Sequence, residues 1–169
     1  MNKETLRYVV MFPVLVLLQV LVMNHLVLFD TAVPFLFIYF IIALPIGLGT
    51  NWLIFLSFLA GFCVDIFGDT LGVNSLACTL LAILKIPVFF AYVPRDDKTK
   101  TIHPTISTLG WPVYMKYLLT MCALYCLFAF SIEFFSFYNI KDILIFSAAS
   151  AVYTFIVNLA AGSILNRGR

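Results

Sequence analysis

The stretch FLAGFCVDIFGDTLGVNSLACTLLAILKIPVFF, Phe58 to Phe90, decides the fold. Two long apolar runs are joined by a glycine-rich turn, and Asp65, Asp69 and Lys85 lie in or beside those runs. Why ionisable groups stand there depends on what surrounds them, which the whole-chain composition answers.

The 169 residues are 63% hydrophobic and 11% charged, and the mean hydropathy is +1.08. A water-soluble domain carries about a quarter charged residues. This chain lacks the polar groups to cover a surface in water, so it reads as an all-α integral membrane protein. A net charge of +2 without a basic, aromatic-interleaved stripe gives no reason to expect nucleic acid. Cys63, Cys78, Cys122 and Cys126 all fall inside apolar runs and form no CxxC pair. They read as small buried hydrophobes, with no metal or cofactor expected.

Outward from the opening stretch, six apolar runs emerge: 8–24, 33–47, 52–67, 71–93, 111–138 and 143–166. A spanning helix needs about 20 apolar residues, so the second and third are short. A re-entrant hairpin is the alternative there, because Pro45, Gly47, Gly49 and Asn51 interrupt the run. Two short spans meeting at a tight turn are preferred. The first run, preceded by Lys3 and Arg7, exceeds a signal-peptide core and has no small-residue cleavage site after it. It reads as a retained helix.

Six spans with a cytoplasmic N-terminus place Lys3, Arg7, Arg95, Lys98, Lys100, Arg167 and Arg169 on the cytoplasmic side. Lys141 alone lies in an outer loop. That asymmetry follows the positive-inside rule, which an odd number of spans would break. The expected location is the cell inner membrane, multi-pass, with both termini cytoplasmic. The 94–110 loop reads as a solvated cytoplasmic connector, in the ordinary case a linker and otherwise a docking segment.

In this topology Asp69 sits in an outer turn, where a cap for the next helix is the ordinary role. Asp65 lies deeper, where a charge costs more: about 2.5–3.5 kcal/mol at a bilayer centre on insertion scales. It is expected to turn toward the bundle or a wet outer cavity, with hydroxyl, backbone or basic partners. If its carboxylate holds a partner group, Asp65→Asn should keep the fold and impair function. Lys85 lies about 12 Å from the cytoplasmic end of its helix and is expected to snorkel toward it. A salt bridge between Asp65 and Lys85 is too long to form. Glu133, near the outer end of the fifth span, has no evident role.

On the sixth span Ser147, Ala151, Thr154, Asn158, Ala161 and Leu165 recur at helical spacing, opposite Leu144, Phe146, Val152, Phe155 and Ile156. Small and polar residues at that spacing let helix backbones approach and bond across an interface. This face packs either on the same chain or on a partner.

No catalytic constellation stands out. His25 and His103 belong to loops on opposite sides, and there is no HExxH, GxSxG or Walker sequence. Catalytic residues are therefore not expected, and the chain reads as something other than an enzyme.

The segment GFCVDIFGDTLGVNSLACTLLA resembles the signature region of the bacterial rod shape-determining MreD family. There a span ending in Gly-x-x-x-Asp is followed by a short turn, Leu-Gly and a small-residue helix. The matching positions are Gly61, Asp65, Gly68, Leu71, Gly72, Ala77 and Leu81. The resemblance implies a bundle of about six helices, like the S components of energy-coupling-factor transporters. It further implies a scaffold of the cell-wall elongation machinery, in a lipid bilayer, that binds MreC and connects to MreB, RodA and a transpeptidase. Candidate partner-binding or structural residues are Gly61, Asp65, Asp69, Gly72, Ser147, Ala151, Thr154, Asn158 and Ala161. The alternative is a vitamin-binding S component, with a site near Asp65, Asp69, Asn74 and Ser75.

Overall fold

The computed structural model describes residues 3–26, 32–70, 72–94, 103–134 and 140–165. Every regular element among them is a helix: α1 (Lys3–Leu21), α2 (Ile38–Ala43), α3 (Thr50–Gly68), α4 (Val73–Tyr92), α5 (Ile106–Leu109), α6 (Trp111–Glu133) and α7 (Ile140–Leu165). A single 3₁₀ turn, Met23–His25, follows α1. Four helices are long and apolar enough to cross a bilayer, with Leu6–Leu21 as a shorter apolar fifth. The chain is a multi-pass, all-α membrane protein.

Its outer surface agrees with that solvent. Val10 and Leu17 on α1, Phe55 and Ile66 on α3, Leu76 and Ile83 on α4, and Val152 and Ile156 on α7 are all exposed. Water would penalise so broad an apolar belt, whereas lipid tails do not. Inside, α3 packs chiefly on α4, α4 on α6, and α6 on α7. The bundle has two ends. Arg7 donates to the Leu165 carbonyl at the basal end, and Asn24 lies beside Gly68 at the distal end.

The second expected span, 33–47, is not a continuous helix. Residues 33–36 form no regular structure, and only Ile38–Ala43 form a helix, of six residues. Pro45 sets the second limit, because the residue before a proline is pushed out of the helical region, and Pro34 acts in the same way on Val33 at the start of the irregular stretch. Leu44, before Pro45, has a ψ of 144°. The segment still crosses the bundle. Gln19, near the distal end of α1, meets Pro34, and Tyr8, near its basal end, meets the Ala43 carbonyl. The segment is a broken span at the centre of the molecule, with Phe37, Ile38, Ile41 and Ile42 fully buried.

Irregular backbone within a bilayer has no water to bond and must be satisfied by protein. The neighbouring helices supply the groups. Gln19 of α1 accepts from the Leu36 N–H at 2.7 Å and donates to the Pro34 carbonyl at 3.0 Å. From α7, the Ser150 hydroxyl accepts from the Val33 N–H and the Thr154 hydroxyl from the Phe35 N–H, each at 3.1 Å. Asn158 donates to the Phe35 carbonyl at 2.9 Å. At the other end of α2, the Lys85 ammonium from α4 donates to the carbonyls of Ile41 at 2.8 Å and Leu44 at 2.6 Å. Lys85 is fully buried. It does not snorkel to the surface: it caps the C-terminus of α2, where the helix dipole favours a cation.

Removing Gln19 orphans a buried donor and a buried acceptor, each worth about 1–3 kcal/mol. Side-chain pairs between membrane helices average only about 0.6 kcal/mol because their unfolded state finds other partners. The backbone of 34–36 has no such freedom, so the larger figure governs. Gln19→Leu should lower the detergent melting temperature more than Thr120→Val on the exposed side of α6. Equal melting of the two variants would refute this account of the broken span.

Candidate functional site

The site grows from the junction of α3 and α4. A Cβ added at Gly61 would lie 2.5 Å from the Asn74 carbonyl oxygen and 2.7 Å from the Ser75 Cα. Both contacts are backbone, so the helices touch here only because residue 61 has no side chain.

One turn further on, Asp65 reaches across that contact to the first turn of α4. Its Oδ1 accepts from the Asn74 N–H at 3.1 Å, the Asn74 side-chain amide at 3.0 Å and the Thr70 hydroxyl at 2.5 Å. Its Oδ2 accepts from the Ser75 N–H at 2.8 Å and from the Ser75 hydroxyl. The residue in the N-cap position of α4 is Gly72, which has no side chain to cap with. Asp65 does the capping from a different helix, satisfying two backbone donors that an N-cap side chain ordinarily serves one at a time.

The turn between the helices follows from this. Asp69 ends α3 with φ 52° and Gly72 opens α4 with φ 82°. Two left-handed residues reverse the chain tightly, and glycine and aspartate tolerate that conformation best. Asp69 is exposed and marks the helix end, in keeping with its expected turn role. The Tyr125 hydroxyl on α6 donates to the Asn74 Oδ1 at 2.5 Å. The same ring packs edge-on against Phe35 and Phe37 of the broken span.

Among the residues matching the signature region, Gly61, Asp65, Gly68 and Gly72 thus lie at or beside this junction, and Ala77 and Leu81 are fully buried on α4. Leu71 falls outside the described residues.

The stripe on α7 is elsewhere. Ser147, Ala151, Thr154 and Asn158 are buried, and Thr154 and Asn158 bond the broken span. Ala161 is half-buried and packs against the core. The question left open in the sequence is thereby answered: this face packs on its own chain. A bulky residue at Ala151 would disturb the core rather than a docking surface. Sequence reasoning missed two members of the polar framework, Gln19 and Ser150, and assigned no role to Lys85 in it. A glutamine in an otherwise apolar first helix is the signal that pointed to one of them.

Above the junction, at the distal end, lies a cavity of about 270 Å³. Its walls include Asn24, Val33, Phe35, Val64, Thr70, Asn74, Ala129, Phe130 and Glu133. A second, more apolar cleft of about 420 Å³ lies nearer the basal end, between Tyr8, Phe12, Phe40, Leu48, Leu59 and His103. His103 is within 2.8 Å of the Tyr8 hydroxyl. Among the described residues there is no cluster of three or more metal-ligating side chains. Of the connector expected at 94–110, positions 95–102 fall outside the described residues. Comparison with protein families, curated proteins and solved structures finds no match.

The five donors on Asp65 argue against the expectation that Asp65→Asn keeps the fold. Whichever way the amide turns, its NH₂ meets a backbone N–H of Asn74 or Ser75, and a buried donor is orphaned at a cost of about 1–3 kcal/mol. Asp65→Asn should therefore melt well below Asp69→Asn in detergent. Gly61→Ala should cost a further, comparable amount through overpacking, about 1–3 kcal/mol. Wild-type melting of either the Asp65 or the Gly61 variant would disprove the junction.

Proposed function

We propose that the chain is a membrane scaffold of the bacterial cell-wall elongation machinery, of the MreD kind. The observation that carries this reading is the convergence of the signature residues on one helix junction. Gly61 permits the contact, Asp65 caps it and Gly72 turns into it. A motif of this kind builds a rigid shape and leaves no reactive group free, which suits a protein that holds partners in register.

In this reading the basal end faces the cytoplasm of the inner membrane, with both termini there and the Asp69 turn outside. The basic residues near the basal helix ends support that orientation. A single-span, MreC-like protein is the direct partner, and MreB, RodA and a transpeptidase are reached through the assembly. With the α7 stripe buried, the distal surface around Asp69 is the remaining candidate for the partner contact. A vitamin-binding S component is less well supported, because drug-sized ligands occupy about 300–1,000 Å³ and the distal cavity is smaller.

Two measurements test the proposal. Cysteine at position 98 should resist a membrane-impermeant label in intact cells and react after permeabilisation, whereas cysteine at 69 should react in both. Labelling of position 98 in intact cells would invert the orientation. A photo-crosslinker at Asp69 should capture a single-span partner, and deletion of the chain should round rod-shaped cells. Retained rod shape would refute the assignment.

A further inference from the structure

The distal cavity has a polarity that the helix junction does not explain. Its Thr70 hydroxyl donates to Asp65 and accepts from Asn74. The Asn74 amide is also fully engaged, by Asp65, Thr70 and Tyr125. These groups are wall. The Asn24 carbonyl oxygen accepts from Gln19 at 2.9 Å, which leaves its NH₂ as a donor. Glu133 differs from all of them: among the described residues its carboxylate has no hydrogen-bond or basic partner. Behind the Thr70 and Asn74 wall lies a second carboxylate, Asp65, and no lysine or arginine is among the described residues that line the space. The aromatic residues Phe35 and Phe130 complete the lining.

We infer that this cavity binds the ammonium group of a small organic cation, with Glu133 as its counter-ion. Three observations converge on that class. Glu133 is exposed at the mouth of the cavity, and a carboxylate beside apolar walls attracts a positive group more strongly than one in open water. Aromatic faces favour cations, and quaternary or primary ammonium groups use them most readily. The volume of about 270 Å³ admits a compact molecule and not an extended one. The site is independent of the scaffold reading. The same ammonium chemistry comes from a soluble amine or from the ethanolamine headgroup of a lipid.

The purified full chain in detergent would be titrated calorimetrically with choline and with its uncharged isostere 3,3-dimethylbutanol. Choline should bind saturably and at least tenfold more tightly than the isostere. Glu133→Gln should abolish that preference, with its ligand-free melting temperature unchanged, while Asp69→Asn should keep it. If choline does not bind, nanodiscs provide the lipid arm. Phosphatidylethanolamine should then raise the melting temperature above that in phosphatidylglycerol alone, and Glu133→Gln should erase the difference. Equal binding of the isostere, wild-type behaviour of Glu133→Gln, or no response in either arm would overturn the inference.

Discussion

A backbone that leaves the helix inside a bilayer must find its hydrogen bonds in protein, and most of this fold follows from that requirement. Residues 33–36 run without regular structure at the centre of the bundle. Their N–H and carbonyl groups are met by Gln19, Ser150, Thr154 and Asn158 from two different helices. Those partners fix how α1 and α7 are rotated about their own axes. With these two helices oriented, α6 packs on α7 and α4 on α6. The polar residues inside this membrane protein therefore form a framework around one irregular segment.

The two charges buried among the described residues obey a single rule. Asp65 sits at the N-terminal end of α4, and Lys85 at the C-terminal end of α2. Each has the sign that the helix dipole favours, and each bonds backbone groups that the helix itself leaves unmatched. The cost of an ion at membrane depth, about 2.5–3.5 kcal/mol on insertion scales, is offset by several charge-assisted hydrogen bonds. Asp65 and Lys85 belong to different helix ends and do not need each other.

Much of this was legible beforehand. Hydropathy alone marks the long helices, because a bilayer demands about 20 apolar residues per crossing whatever else the helix does. The α7 stripe was visible as small and polar residues at helical spacing, and it does face inward. Its partner was not visible, since periodicity shows that a face packs and not on what. The broken span escaped because Pro45 was weighed as a break between two spans rather than as the end of a six-residue helix, and Pro34 was not weighed at all. Lys85 escaped with it. An ammonium that caps a carbonyl end cannot be recognised until that end is known to exist. Asp65 was correctly turned inward, but its five donors come from a turn geometry that no spacing rule encodes.

The broken span also has a history, because its bonding partners are made at different times. The Asp65 cap joins residues 9 and 10 positions apart, so the α3–α4 hairpin can close as soon as both helices are inserted. The Phe35 N–H waits for Thr154, 119 positions later. At a synthesis rate of about 5–20 residues per second, that gap lasts on the order of ten seconds. Throughout it, the nascent chain holds an irregular segment whose α7 side is still missing. Lipid cannot shelter such a segment, so the insertion machinery or retained water must do so until α7 arrives. The middle of the bundle is completed by a helix made much later, and a ribosome that stalls before α7 leaves its core open.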